Sequence, residues 1–219
     1  DMLLRAASAV FVFCLLSGAV YTLNDLLDVE ADRIHPKKRF RPIASGRVPV
    51  AVARGFFVAI LGLSLTSALL AFPLRFGAVA LAYFLLNVAY SIKLKSIPFL
   101  DVGCLAVFFV LRVLGGGSAI GVRVSVYMIA CTALLALFLG FGKRRHEIAQ
   151  QDAGRQRKSL ESYSPRGLDA ALILTGASTF VTYVAYTIDR TTASYFQSDQ
   201  LWMTSTSVFI GLVRFIQIV

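Results

Sequence analysis

The 219-residue chain is 57% hydrophobic and carries a formal net charge of +10. Its mean hydropathy is +0.72, and its apolar runs, about 18–23 residues long, match the length that crosses roughly 30 Å of hydrocarbon. A soluble globular domain is therefore excluded. Backbone groups in lipid must be satisfied within their own segment, so these runs are predicted to be helices rather than barrel strands. No nucleic-acid-binding pattern accompanies the positive charge, and we expect no nucleic-acid partner.

Seven candidate membrane spans follow one another along the chain. Their approximate bounds are 3–23, 50–72, 76–92, 98–120, 124–141, 168–188 and 201–219. We predict an all-α, polytopic transmembrane helix bundle that forms a single domain, 1–219. The first span lacks a charged leading region and a small-residue cleavage site, so it is not interpreted as a signal peptide. Because the chain starts and stops at the edges of apolar segments, we expect it to be a fragment of a longer protein.

Basic residues are concentrated in the loops on one side of the predicted bundle. Loops 24–50, 91–98 and 143–166 hold fifteen of the 22 Lys and Arg residues, whereas the opposite loops hold three. The positive-inside rule therefore predicts a cytoplasmic location for the first set, in a prokaryotic plasma membrane. For any one of these cations, a purely topological role and a functional role remain open.

The first span ends in an acidic segment. If its helix continues past Leu23, Asp25, Asp28 and Asp32 fall at i, i+3 and i+7 and share one face. Three carboxylates there repel one another and oppose the helix macrodipole. A hard cation offsets that repulsion, and Mg²⁺ usually bridges carboxylates to substrate phosphates. We predict that these three residues are catalytic and bind Mg²⁺ (or Mn²⁺), while Asn24 orients a diphosphate.

A basic segment follows the acidic one directly. Lys38, Arg39 and Arg41 are predicted to bind the phosphate oxygens that the metal leaves unneutralised. Gly46 permits a tight turn in this loop. His35 precedes a proline and is interpreted as a polar loop residue rather than a general base.

Further polar residues interrupt the next two spans. Tyr90 and Lys95 lie at the cytoplasmic end of the third span, where a phosphate contact and a snorkelling lysine with an interfacial tyrosine are both open interpretations. Asp101 lies near the cytoplasmic end of the fourth span and is expected to join the site. Arg112 lies deeper, where an intramembrane structural contact is the alternative to function. The glycine run 115–117 is interpreted as close helix packing.

The acidic and basic segments together resemble a known family. The pattern NDxxDxxxD at a span end, followed by KRxRPIxSG, is similar to the UbiA superfamily of intramembrane prenyltransferases. This resemblance implies a nine-helix fold whose second to eighth helices correspond to the seven spans here. One family helix would then be missing from each end of the chain.

The second half departs from the usual pattern of that superfamily. A second acidic motif, DxxxD, is replaced by a stretch that contains Lys143, Arg144 and Arg145. With YSIKLKSIPFLD, FVLRVLGGG and a later Tyr-Ser pair at Tyr163, this stretch resembles the branch that moves 5-phosphoribosyl from phosphoribosyl diphosphate to a polyprenyl (decaprenyl-type) phosphate and releases pyrophosphate. We predict that the three cations bind the acceptor phosphate or, as the second choice, the donor 5-phosphate, and that Lys95 and Tyr163 close the pocket.

Two other functions remain open from the sequence. The first is ordinary prenyl transfer from a polyprenyl diphosphate to an aromatic or lipid acceptor; the missing second acidic motif counts against it. The second is a transporter or lipid-binding protein without chemistry; the clustering of ionisable groups at one face counts against it. By resemblance, the product would enter cell wall biosynthesis. The sequence leaves the isoprenoid length and the oligomeric state open, a homo-oligomer included.

Overall fold

The structure is a computed structural model that describes residues 2–149, 163–198 and 200–219. All regular secondary structure in these ranges is helical. Three short 3₁₀ turns lie at Lys38–Phe40, Leu94–Ser96 and Leu201–Met203. The α-helices of the described ranges are α1 (Met2–Leu27), α2 (Val29–Ile34), α3 (Val50–Leu70), α4 (Leu74–Ile92), α5 (Leu100–Ile120), α6 (Val126–Ala149), α7 (Pro165–Ile188), α8 (Arg190–Phe196) and α9 (Thr204–Ile218).

Seven helical segments of the described chain are long and apolar enough to cross a membrane. They are α1, α3 to α7, and Leu201–Ile218, which includes α9. This confirms the predicted all-α fold with seven spans and a multi-pass membrane protein. Proline sets two of the starting points, since Pro49 precedes α3 and Pro73 precedes α4. Ser164 begins α7, and its hydroxyl accepts the backbone N–H of Gly167 at 3.0 Å, as an N-cap residue does.

Two spans end later than their approximate predicted bounds, and the first does so as the argument for the acidic segment requires. The first helix extends to Leu27 rather than Leu23, and the fifth span extends to Ala149 rather than Phe141. Lys143, Arg144 and Arg145 consequently lie within α6 and do not begin a loop. Lys, Arg and Glu favour helical structure, so α6 continues beyond the point at which the fall in hydropathy predicted its end.

The chain divides into two compact units. One comprises residues 1–94 and 111–123, and the other comprises residues 95–110 and 124–219. Helix α5 contributes its first half to the second unit and its second half to the first. The predicted single domain stays a prediction.

The core of the first unit forms where α1, α3 and α4 pack together. Phe13 of α1 meets Phe76 and Tyr83 of α4 edge-on, with ring centroids 5.5 Å and 5.6 Å apart. The end of α5 approaches the same ring. A Cβ atom on Gly115 would lie 2.6 Å from Cε2 of Phe13. This contact confirms close packing as the role of the first glycine in the run 115–117.

The second unit has its core between α6, α7 and α9. Phe138 of α6 and Leu168 and Leu172 of α7 are almost fully buried there, together with Leu212 of α9. A Cβ on Gly176 of α7 would lie 2.9 Å from the Phe138 ring. Small residues thus bring two helices close enough for aromatic rings to fill the space between them, as expected where lipid supplies no hydrophobic drive for association.

The glycine run offers a matched test of this packing. We expect Gly115→Ala to destabilise the protein by about 1–3 kcal/mol, the usual cost of overpacking, because Phe13 is wedged between two rings and cannot move aside. Gly116→Ala should be neutral or stabilising by up to about 1 kcal/mol, since alanine favours helix and nothing lies within 4 Å of its Cβ position. Thermal unfolding in detergent measures both. Equal midpoints for the two variants would contradict the packing assignment.

Candidate active site

The acidic segment crosses a break between two helices. Helix α1 ends at Leu27, Asp28 has φ −94° and ψ 5°, and α2 begins at Val29. One i to i−4 hydrogen bond lies on each side of the break. The backbone N–H of Asp28 donates to the carbonyl of Asn24 at 2.9 Å, and that of Asp32 donates to the carbonyl of Asp28 at 2.8 Å. Asp25 therefore lies in the last turn of α1 and Asp32 lies on α2, with Asp28 at the junction between the two helices.

One guanidinium nitrogen joins two of the three predicted metal ligands. Nη1 of Arg41 donates to Oδ1 of Asp25 at 2.9 Å and to Oδ2 of Asp32 at 2.8 Å. Asp32 is only 3% exposed, and Nζ of Lys38 lies 4.0 Å from its other oxygen. The shared nitrogen shows that Asp25 and Asp32 point to one place. The basic segment therefore folds back onto the acidic segment and offsets the repulsion between these two carboxylates.

The loop that carries Arg41 is held by its own polar groups. Nδ1 of His35 accepts the backbone N–H groups two and three residues ahead, each at 3.2 Å, which agrees with its interpretation as a polar loop residue. Nη2 of Arg47 donates to the carbonyl of Phe40 at 2.6 Å. Gly46 has φ +77°, the left-handed conformation that its predicted turn needs. Arg39 lies over the ring of Phe40, 4.9 Å from its centroid.

The same residues can be tested as a metal site. No group of three His, Cys, Asp or Glu side chains within the described ranges is arranged to hold a metal ion, so a three-carboxylate site at Asp25, Asp28 and Asp32 is not preformed. Asp25 and Asp32 do converge, and their oxygens are the ligands that Mg²⁺ prefers. Magnesium is commonly bound by one or two carboxylates together with substrate phosphates. The residues therefore fit a two-carboxylate site that phosphate oxygens complete.

A largely apolar cavity of about 690 Å³ lies beside α1 in the first unit. The residues of α1 that line the cavity recur every three or four positions, so they lie on one face of the helix. That face continues from Tyr21 to Asp25, four residues further on. The cavity thus leads along the helix towards the acidic segment. Its principal lining residues are Ala6, Val10, Phe13, Ser17, Gly18 and Tyr21 of α1 and Arg112 and Gly116 of α5.

Arg112 is an intramembrane cation at the wall of this cavity. Its Nη2 donates to the hydroxyl of Tyr83 at 2.7 Å and approaches Oγ of Ser17 at 3.4 Å. The guanidinium also lies 5.3 Å from the Tyr83 ring centroid. A side-chain contact joining α1, α4 and α5 supports the structural alternative for Arg112.

A buried ion pair forms in the second unit. Nε of Arg144 lies 2.8 Å from Oδ2 of Asp101, and the two side chains are 1% and 0% exposed. A second guanidinium nitrogen of Arg144 pairs with Glu147, one turn later on α6. This geometry favours a role for Arg144 in holding α6 to the start of α5, because direct phosphate binding would first have to open both contacts. The sequence analysis did not identify Glu147 as a partner of Arg144. The two residues are three positions apart on a helix, and this spacing favours an ion pair.

Tyr163 completes this cluster. Its hydroxyl donates to Oδ1 of Asp101 at 2.7 Å and accepts the backbone N–H of Phe99 at 2.6 Å. Burial, reinforced by the hydrogen bond to Asp101, raises the pKa of Tyr163, so the phenol stays a neutral donor at physiological pH. Phe99 has φ +64°, a conformation that non-glycine residues rarely adopt. Tyr163 thus pins a strained turn at the beginning of α5.

The other predicted contacts are more exposed. Nε of Arg145 pairs with Oδ1 of Asp169 at 2.8 Å. Lys143 is exposed on α6, whereas Lys95 is half-buried in its 3₁₀ turn and Tyr90 is half-buried near the end of α4. Of the other cations in loop 143–166, Arg155, Arg157 and Lys158 lie outside the described residues, and Arg166 lies in the first turn of α7.

Comparisons with known proteins show the family of this chain. The model of the UbiA prenyltransferase family matches residues 2–219, and the chain belongs to that family. It is 36% identical over 190 residues to a decaprenyl-phosphate phosphoribosyltransferase of Corynebacterium glutamicum, covering 85% of this chain and 57% of that protein. A protein of the same name from Mycolicibacterium smegmatis is 32% identical over 225 residues, covering 98% of this chain and 70% of that protein.

The fold also has solved counterparts. A UbiA homologue from Archaeoglobus fulgidus bound to GPP and Mg²⁺ superposes with a TM-score of 0.79 at 21% identity, covering 98% of this chain and 75% of the other. The UbiA-like fold expected from the two sequence motifs is thereby confirmed. The chain spans only 57% of the length of the Corynebacterium relative.

The buried cluster predicts a large difference between two neighbouring arginines. We expect Arg144→Gln to destabilise the protein by about 3–5 kcal/mol, because it leaves the Asp101 carboxylate buried without its partner charge. Arg145→Gln removes an exposed pair and should cost at most about 1 kcal/mol. Chemical or thermal unfolding in detergent measures both.

Adding Asp101→Asn to Arg144→Gln should recover part of the lost stability, because the uncompensated charge is then removed. A double variant as unstable as the sum of the two single variants would show that the ion pair does not couple these residues.

Proposed function

We propose that this chain carries the catalytic core of a membrane transferase that moves 5-phosphoribosyl from phosphoribosyl diphosphate to a polyprenyl phosphate and releases pyrophosphate. The observation that carries the proposal is the 36% and 32% identity to proteins named decaprenyl-phosphate phosphoribosyltransferase, which extends over as much as 98% of the chain. The paired acidic and basic segments supply the chemistry that such a donor needs.

The donor diphosphate is assigned to the first unit. Asp25 and Asp32 would hold Mg²⁺ or Mn²⁺, with Asp28 contributing directly or through water, and Asn24 would orient the diphosphate. The neighbour from Archaeoglobus fulgidus was solved with Mg²⁺, which supports a divalent metal. When bound, the metal would neutralise charge that develops on the departing pyrophosphate. Lys38 and Arg41 lie beside the two carboxylates and would bind phosphate oxygens that the metal does not cover.

The chain's remaining task is to place the acceptor. C1 of the ribose leaves pyrophosphate with oxocarbenium character, so stabilising the leaving group is the main requirement. The attacking phosphate oxygen is already ionised and needs no general base. Holding it opposite the leaving group supplies much of the remaining rate enhancement. Among the cations of the second unit named in the sequence analysis, Lys95, Lys143 and Arg145 have accessible side chains, whereas Arg144 is buried against Asp101.

The cavity along α1 is proposed to receive the isoprenoid chain of the acceptor. Its lining is almost entirely apolar, and the α1 face that borders it continues to Asp25. A lipid could therefore enter from the bilayer, while the sugar phosphate enters from the aqueous face. The excess of cations in loops 24–50, 91–98 and 143–166 supports a cytoplasmic orientation of that face.

The proposal predicts a specific pair of substrates. Purified protein in detergent or lipid, given labelled phosphoribosyl diphosphate, decaprenyl phosphate and Mg²⁺, should form a labelled lipid and pyrophosphate. Asp25→Ala should lower turnover by at least ~100-fold, the scale of losing one main charge-stabilising group, and EDTA should abolish the reaction. Labelled product from a polyprenyl diphosphate and an aromatic acceptor, with none from phosphoribosyl diphosphate, would establish ordinary prenyl transfer instead.

Filling the cavity should affect only the lipid substrate. Gly18 lines the cavity and has nothing within 4 Å of its Cβ position. We expect Gly18→Leu to raise KM for decaprenyl phosphate by roughly tenfold. The leucine side chain would exclude about two methylene groups of the lipid from the cavity, and each loses ~0.8 kcal/mol of burial free energy. KM for phosphoribosyl diphosphate should not change.

Gly62→Leu is the matched control. Gly62 lies on α3, is exposed, and also has nothing within 4 Å of its Cβ position, but it does not line the cavity. Its KM values should equal those of the wild type. Unchanged lipid KM in a folded Gly18→Leu protein would remove the cavity from the acceptor site.

A further inference from the structure

Arg41 occupies the point at which Asp25 and Asp32 converge. Its Nη1 lies 2.9 Å from one carboxylate oxygen and 2.8 Å from the other. A divalent cation shared by the same two carboxylates would have to lie at nearly the same point. A guanidinium nitrogen and a metal ion cannot both be there, because their volumes overlap and their charges repel.

The burial of Asp32 makes an empty position costly. Its side chain is 4% exposed, and an ionised carboxylate at that depth is strongly unfavourable unless a cation compensates it. Lys38 lies 4.0 Å away, at the outer limit of an ion pair, and leaves Asp25 without a contact of its own. Arg41 is the cation that contacts both carboxylates, and a divalent metal ion bound to the same two oxygens could replace it as the compensating charge.

Arg41 is also placed so that its side chain can turn away. Its side chain is 37% exposed, so part of it already reaches solvent. The loop backbone beyond it is fixed by the Gly46 turn and by the bond from Arg47 to the Phe40 carbonyl. Movement of the guanidinium consequently requires rotation of the side chain rather than rearrangement of the loop. A diphosphate would offer the planar guanidinium a bidentate partner.

We propose that Arg41 is a counter-cation that exchanges with the metal: it holds Asp25 and Asp32 together until the diphosphate draws its guanidinium away and the metal takes its position. This inference rests on the proposed function, which supplies the diphosphate. It makes Arg41 a substrate-binding residue that couples the two binding events. A bare metal ion must displace the guanidinium and binds weakly, whereas a diphosphate that arrives with the metal gives the displaced guanidinium a new anionic partner.

The exchange predicts opposite effects of one substitution. Arg41→Gln removes the competitor for the metal, so Mn²⁺ alone should bind more tightly than to the wild type, by roughly 5- to 150-fold if the coupling is of usual size. Pyrophosphate should bind more weakly, because its guanidinium partner is gone. A merely structural loss would weaken both. Mn²⁺ binding is measured by electron paramagnetic resonance or calorimetry on purified full-length chain in detergent, and pyrophosphate binding by calorimetry.

Arg33→Gln is the matched control. Arg33 is adjacent to Asp32 in sequence, but its Nη1 pairs with Glu30 at 2.8 Å on the exposed side. Neutralising it changes the net charge equally and should leave both affinities near those of the wild type. Asp32→Asn added to Arg41→Gln should abolish the gain in Mn²⁺ affinity, which assigns the bound ion to this pair of carboxylates.

The outcomes separate the exchange from the proposed function. Unchanged Mn²⁺ affinity in Arg41→Gln, while the wild type still binds pyrophosphate and transfers phosphoribosyl, would overturn the exchange alone. A wild type that binds no pyrophosphate would overturn both. If Arg41→Gln does not fold, Arg41→Lys is the alternative variant. It keeps the positive charge but lacks the bidentate guanidinium group, so it should still weaken pyrophosphate binding. Wild-type pyrophosphate affinity in Arg41→Lys would then overturn the exchange.

Discussion

Carboxylates that lie close together repel one another unless a cation lies between them. In the first unit, this constraint decides how the acidic end of α1 and the loop after α2 are joined. Asp25 and Asp32 share one nitrogen of Arg41, and Asp32 could hardly be buried otherwise. The contact folds the basic segment back over the acidic one, so the residues suited to a metal-bound diphosphate are assembled by their own charges.

The second unit obeys the same constraint with a different outcome. Asp101 and Arg144 are both inaccessible to solvent, and each charge compensates the other. Tyr163 adds a neutral donor to Asp101 and fixes the turn at Phe99. In the first unit, a half-exposed arginine leaves the ion pair able to open, whereas in the second the ion pair is closed to solvent. We infer a binding role for the first and a scaffolding role for the second from this difference in burial.

The lipid-facing features follow from a separate constraint. Helices in a bilayer gain little from burying apolar side chains against each other, so they associate through close packing and polar contacts. Gly115 against Phe13 and Gly176 against Phe138 illustrate the first means, and the contact of Arg112 with Tyr83 illustrates the second. Where small residues of α1 and α5 face open space instead, at Gly18 and Gly116, they leave room for the cavity beside α1.

Hydropathy by itself determined the number of spans and the helical class, and the resemblance of two sequence motifs indicated the family. Membrane thickness sets the length of a span, and the spacing of Asp25, Asp28 and Asp32 is a local property of one segment. The partner of each charge could not be obtained in this way. Lys143, Arg144 and Arg145 are equivalent cations in the sequence, yet Arg144 is buried against Asp101, Arg145 pairs with Asp169, and Lys143 is exposed. Those assignments depend on which helix faces which, and only tertiary packing decides that.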